Sequence, residues 1–197
     1  SAFPAPIINV HPSLLPKYRG AAPINWAIIN GEKETGVTTF LIEKKIDTGN
    51  IILQEKVSIE EDENAGHLHN KLMKMGSKLV CETIDKIIEG KIEEKAQEGK
   101  ATQAPKIFKK DCQINWSDSI ENIHNFIRGL SPYPTAWSFI DDEQKQNIKV
   151  FKSSIQKTHH YESFGKIITD RKSELKVAVN GGFIQLHEIQ LHSNPFS

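Results

Sequence analysis

Apolar residues recur along the chain with two different periods, and the change between them divides it. Residues 6–10 form a short apolar run that predicts a strand, closed at His11-Pro12-Ser13 because proline cannot continue a central ladder. At 23–29 the sequence Pro-Ile-Asn-Trp-Ala-Ile-Ile puts proline at the first helical position and Gly31 just past the last, which predicts a short helix. Residues 37–42 and 51–57 are rich in β-branched and apolar side chains and predict two strands. Between them Asp47-Thr48-Gly49-Asn50 reads as a turn, with Gly49 expected to supply a positive φ. Over 65–88, Leu68, Leu72, Met75, Leu79, Ile84 and Ile88 recur at steps of three, four and five. That spacing predicts a long amphipathic helix packed on a sheet, with Cys81 on its buried face and Gly90 closing it.

Beyond it the pattern weakens. Residues 91–104 are rich in Glu, Lys, Gln and Gly with little apolar periodicity, and are expected to be a linker. A short helix follows near 119–130, then strand-like segments at 136–140, 148–155, 165–169, 174–179 and 183–191. Short strands separated by turn residues predict a small β-barrel. The fold class is therefore α/β followed by a β-barrel, with a first domain at 1–90, a linker at 91–105 and a second domain at 106–197. Trp26, Trp116 and Trp137 are assigned to core packing ahead of base stacking, and His159-His160 to a solvated turn.

Composition narrows the classes. With 38% hydrophobic and 25% charged residues in 197, the chain can bury a core, and no apolar run approaches the roughly 20 residues of a membrane span. Lys and Arg number 25 against 25 Asp and Glu, but the balance is a cancellation. Up to Pro105 there are 13 basic and 15 acidic residues; from Lys106 there are 12 and 10, and within 145–176 eight against three. The second domain therefore carries a local basic field that the whole-chain balance conceals. Two cysteines make no disulfide framework, no signal peptide is visible in residues 1–6, and a reduced, cytoplasmic setting is expected. Neither the cysteines nor the histidines have metal-ligand spacing.

The candidate chemistry lies at the end of the first strand. Asn9, His11 and Ser13 alternate with Val10 and Pro12, so an extended backbone puts the three polar side chains on one face. An amide donor beside an imidazole suits the stabilisation of an oxyanion during proton transfer. Asp47, in the turn between the next strands, is the carboxylate able to hold the imidazole or take a proton. Each residue taken alone more often fills a structural, surface or turn role.

Together they carry a resemblance. The run Ile8-Asn9-Val10-His11-Pro12-Ser13-Leu14-Leu15-Pro16-Lys17-Tyr18-Arg19-Gly20-Ala21-Ala22-Pro23 resembles the signature of the folate-dependent formyltransferases. The match continues through Glu34-Thr35-Gly36-Val37-Thr38, Ile46-Asp47-Thr48-Gly49, Ile114-Asn115-Trp116 and Ile127-Arg128-Gly129-Leu130-Ser131-Pro132-Tyr133-Pro134. Within the family it is most similar to the branch that formylates initiator methionyl-tRNA. The resemblance implies the C-terminal part of a Rossmann-like formyltransferase domain followed by an oligonucleotide-binding (OB-like) barrel. It implies Asn9, His11 and Asp47 as the catalytic set and Ser13, Leu14, Leu15 and Pro16 as the folate-lining segment. The formyl donor would be 10-formyltetrahydrofolate, with no metal, and the acceptor the α-amine of methionine on initiator tRNA. The barrel's resemblance makes Lys149, Lys152, Lys166 and Lys176 candidate phosphate contacts of a salt-dependent, sequence-independent kind, the alternative being that they only solvate a barrel surface. Arg19, Lys149, Lys152 and Lys166 would then meet the tRNA. Relatives that formylate an amino sugar nucleotide share the motif and the barrel, those acting on glycinamide ribonucleotide lack the barrel, and a non-catalytic RNA-binding module is the reading from a different class.

Against that family the nucleotide-binding-like first third and the last helical segment are absent from these 197 residues. The expectation is a fragment with an open, parallel strand edge, inactive or weak alone, or self-associating to cover the edge.

Overall fold

The computed structural model describes residues 6–141 and 146–191, Asp141 by its backbone alone. They divide into two units: 6–27, 32–63 and 67–106 make the first, and 28–31, 64–66, 107–141 and 146–191 the second.

In the first unit, β1 (Ile8–His11), β3 (Glu34–Leu41) and β4 (Ile51–Ser58) form a sheet in the order β1-β3-β4. Both pairings are antiparallel, with Asn9 opposite Phe40 and His11 opposite Thr38. The strand expected to be parallel is thus antiparallel to its only partner among the described residues. β3 is central, and from Thr35 to Phe40 it is buried throughout, three threonines included. A buried hydroxyl must be hydrogen-bonded to be tolerated. Thr38 Oγ1 donates to the Ser13 carbonyl at 2.7 Å and accepts from Leu15 N–H and Gln54 Nε2. Thr39 Oγ1 lies 2.8 Å from Thr83 Oγ1, which in turn donates to the Leu79 carbonyl.

Thr83 belongs to α2 (Ala65–Ile88), the long helix expected from the sequence. Its buried stripe is Leu68, Leu72, Gly76, Leu79 and Thr83, steps of three and four. The assigned stripe fails at its C-terminal end, where Ile84 and Ile88 are 44% and 77% exposed. A five-residue step from Leu79 turns a side chain well past the core direction, and Thr83, four residues on, takes that place. Cys81 is likewise exposed and not on the buried face.

Residues 91–106 pack with the first unit through hydrogen bonds, which hydrophobic periodicity cannot report. Ile51 and Lys95 exchange backbone bonds of 2.7 and 2.9 Å, and β5 (Gln103–Ala104) pairs in parallel with β2 (Arg19–Gly20). Trp26, in α1 (Pro23–Ile29), is half-buried and donates Nε1–H to the Pro105 carbonyl, so it is not the core residue expected.

The second unit packs α3 (Ile120–Leu130) on five antiparallel strands, β6 (Ala136–Asp141), β7 (Gln146–Lys157), β8 (Ile167–Thr169), β9 (Leu175–Val179) and β10 (Gly182–Leu191). The order is β6-β7-β10-β9-β8, and no β6–β8 pairing closes the sheet among the described residues. Ser119 caps α3 by accepting the Asn122 N–H. Ile123, Ile127 and Leu130 join Val150, Val177, Val179 and Ile184 in the core, with Trp116 and Trp137 packed against it. Their indole N–H groups donate to Ser138 Oγ and to the Lys109 carbonyl. His160 is not a solvated turn residue: it stacks on Phe183 at 4.5 Å, and its Nε2 lies 2.9 Å from two carbonyls, those of Val179 and Gly182.

The cysteines differ in reactivity. Burial, helped by the neighbouring Asp111 charge, pushes the Cys112 thiol up, whereas Cys81 meets solvent. Brief treatment of the native chain with iodoacetamide at mildly alkaline pH should add one adduct, at Cys81, and a second only after denaturation, as read by peptide mass.

Candidate active site

His11 ends β1 because Pro12 cannot extend it, and the residue is buried, 4% exposed, with its ring edge-on to Phe40. Its Nε2 lies 2.8 Å from the Tyr18 carbonyl. A carbonyl only accepts, so Nε2 carries the hydrogen and Nδ1 is the nitrogen left to exchange a proton. Nδ1 faces Asp47 Oδ2 at 3.7 Å, an ion-pair distance longer than a hydrogen bond. The same Oδ2 accepts the Gly20 N–H at 2.8 Å. Segment 18–20 therefore touches both titratable groups.

Two residues here hold left-handed backbone, Tyr18 at φ 61° and Asp47 at φ 54°. Such conformations persist where surrounding bonds over-determine them. Tyr18 donates its N–H to Thr102 Oγ1 and its hydroxyl to Glu32, both at 2.8 Å. The positive φ expected at Gly49 is thus taken by Asp47. Gly49 is required for a different reason: a Cβ there would fall 1.6 Å from the Leu41 carbonyl oxygen, so only glycine lets the loop close on β3.

Asn9 lies two residues before His11 on the same strand face and is exposed, with Oδ1 accepting the Val10 N–H. Ser13 does not join that face. The chain turns after His11, and Ser13 is fully buried with Oγ donating to the Lys17 carbonyl at 2.6 Å. Leu15 is buried as well. Leu14 and Pro16 instead line a depression of about 240 Å³ with Lys17, Tyr18, Glu34 and Lys100.

Arg19 binds the side-chain oxygen of Gln97. In the second unit Lys166 pairs with Glu162, and Lys176 pairs with Glu174 and lies 4.9 Å above Phe183. Lys149 and Lys152 have no carboxylate partner among the described residues, Lys152 being exposed and Lys149 half-buried. Of the four lysines proposed for phosphate contact, these two are the ones without a carboxylate partner among the described residues. Sequence reasoning did not single out Tyr18, Gly20 or Gln97 for the site; the first two stand within the quoted motif, and Gln97 stands in a stretch with no signal at all.

A family model described as "Formyl transferase" matches residues 1–84, and one described as "Formyl transferase, C-terminal domain" matches residues 106–196. A methionyl-tRNA formyltransferase of Flavobacterium johnsoniae is 50% identical over 187 residues, 93% of this chain and 59% of that protein. One of Bacteroides fragilis is 47% identical over 190 residues, with the same shares. The chain belongs to the formyl transferase family. It spans 59% of the length of these relatives. An N-formyltransferase of Helicobacter canadensis, solved with folinic acid and dTDP-3-aminofucose, superposes with a TM-score of 0.71 at 26% identity, covering 94% of this chain and 66% of that one. HypX of Aquifex aeolicus with tetrahydrofolic acid gives a TM-score of 0.72 at 15% identity over 94% of this chain and 32% of its own, a likeness of fold alone.

For this formyl transferase chain the tight approach at Gly49 gives a direct check. Gly49→Ala should lower stability by about 1–3 kcal/mol, as overpacking against backbone does, measured by urea unfolding at constant m-value.

Proposed function

We propose that the chain belongs to an enzyme that transfers a formyl group from 10-formyltetrahydrofolate to the α-amine of methionyl initiator tRNA at the start of translation. The observation that carries the reading is the His11 ring held between the Tyr18 carbonyl and the Asp47 carboxylate, two residues from the exposed Asn9 amide. In this reaction the amine nitrogen attacks the formyl carbon, the carbonyl oxygen becomes an oxyanion, and the bond from that carbon to the folate nitrogen breaks. The attacking amine loses one proton and the departing nitrogen gains one. Asn9 Nδ2 and a protonated His11 supply positive charge density to the oxyanion. Asp47 takes the amine proton, and Nδ1 of His11, the nitrogen not committed to Tyr18, delivers one to the leaving nitrogen. The folate co-substrate lies along Leu14 and Pro16, with Ser13 and Leu15 supporting that segment from inside.

The tRNA reading is supported by relatives of that name at 45–50% identity, against 25–26% for the sugar enzymes of Helicobacter canadensis and the sugar 3N-formyl transferase WlaRD. Arg19 and, in the second unit, Lys149 and Lys152 are the proposed phosphate contacts, Lys166 contributing only if it leaves Glu162. The five-stranded sheet of 136–191 is proposed as an OB-like module, the 91–105 stretch as the connection between domains, and the cytoplasm as the setting; no helix among the described residues is long and apolar enough to cross a membrane. Formylation of an amino sugar nucleotide is the second reading, favoured by the same solved structures.

Single-turnover transfer by a protein of the relatives' full length tests this. His11→Ala and Asp47→Asn should each lower the rate about 10²–10⁴-fold, and Asn9→Ala about 10²–10³-fold. Near wild-type rates remove those residues from the chemistry, and formylation of a dTDP-amino sugar in place of the tRNA selects the second reading. The 197 residues alone leave the outer edge of β1 unpaired among the described residues. They should transfer formyl weakly or not at all, or sediment as more than a monomer. Robust transfer by a monodisperse monomer contradicts this.

A further inference from the structure

We propose that Gln97 is a positioning residue for Asp47, holding the loop of that carboxylate from a stretch of chain in which the sequence carries no sign of chemistry. The inference rests on the role given to Asp47 above. The side-chain amide of Gln97 makes four hydrogen bonds. Its Nε2 donates to the Asp47 carbonyl at 2.9 Å and to the Gly49 carbonyl at 2.8 Å. Its Oε1 accepts from Arg19 Nε at 3.1 Å and Nη2 at 2.6 Å. An amide of this kind has two N–H donors and two lone pairs, and all are used. Only one orientation fits, because the carbonyls only accept and the guanidinium only donates.

The bonds close a ring. Arg19 is covalently followed by Gly20, whose N–H binds the Asp47 carboxylate; the Asp47 backbone binds Gln97, and Gln97 binds Arg19. Thr48 Oγ1 donates to the Lys45 carbonyl within the loop and the Asn50 carbonyl accepts from Leu41 N–H at its end, but among the described residues Gln97 is the side chain that binds the backbone of 47 and 49. Residues 42–50 form neither helix nor strand, Ile46 is 76% exposed, and Asp47 sits at φ 54°. Along the same side, Asn50 Nδ2 binds Glu94 at 3.0 Å and Ile51 pairs with Lys95, so 94–97 runs as a strap beside 47–51. The carboxylate is thus set by Gly20 and its backbone by Gln97, two restraints on one residue. A displacement near 1 Å at a reacting group costs on the order of 10²-fold in rate, which is why such a restraint matters.

The test uses the protein of full length. Gln97→Met keeps the volume and removes all four bonds; Gln97→Glu keeps an acceptor for Arg19 and removes the donors. Both should lower kcat about ten-fold or more, with KM for the formyl donor within about two-fold. Both should speed hydrogen exchange at the Gly20 amide, which reports whether the Asp47 carboxylate stays in place. Combined with Asp47→Asn, Gln97→Met should add no further loss of kcat, since it acts through the group already removed. Unchanged Gly20 exchange in Gln97→Met, or losses that multiply in the double variant, overturns the proposal. If the wild-type protein transfers no formyl group to any amine, the functional reading falls, while Gly20 exchange still decides the role of Gln97.

Discussion

One carbonyl, that of Tyr18, sets the geometry of the proposed site. By accepting from Nε2 it fixes the tautomer of His11 and turns Nδ1 toward Asp47. The carbonyl can do this only if Tyr18 keeps a left-handed backbone, which costs free energy for a residue with a Cβ. Bonds at both ends of the residue maintain it, the N–H to Thr102 and the phenol to Glu32. Gly20, two residues on, then anchors the Asp47 carboxylate. The same three-residue segment therefore orients the imidazole and the carboxylate.

That segment is itself held by polar groups buried in β3. Thr38 binds the Ser13 carbonyl, the Leu15 N–H and Gln54, so the chain leaving His11 is pinned where it turns back toward Tyr18. A threonine hydroxyl buried without partners would be destabilising; here its partners are the backbone of the functional segment. Core and site are thus joined by the need to satisfy the same donors and acceptors. Below them, α2 covers the sheet with Leu68, Leu72 and Leu79, and Thr83 completes the stripe by bonding Thr39.

Much of this was legible. The bounds of α2 follow from its period, and the start and end of α1 from Pro23 and Gly31. Asn9 and His11 share a strand face as alternation predicts, and Asp47 does reach the imidazole. What misled was local reasoning applied to tertiary questions. Apolar character put Ile84 and Ile88 inside, but helix geometry gave the buried position to Thr83. Ser13 was extended along the strand, but Pro12 ended it and Thr38 drew the backbone inward. Gly49 was assigned a positive φ, but its function is to admit the Leu41 carbonyl. His160 looked solvated because nothing near it in sequence names Phe183 or the two carbonyls it binds.

By itself the sequence determined the longer helices and strands, though not the short β2–β5 pair, that the first half is mildly acidic and the region 145–176 basic, and which side chains bring an amide, an imidazole and a carboxylate. These are properties of composition and period, and both can be read along one dimension. Only the tertiary structure decided which nitrogen of His11 faces Asp47, which lysines pair with a carboxylate, and that Gln97 closes a ring with Arg19, Gly20 and Asp47. Hydrogen bonds between residues 50 to 80 positions apart leave no trace in periodicity, because each needs only one polar group in one place, and that place is set by the packing of everything else.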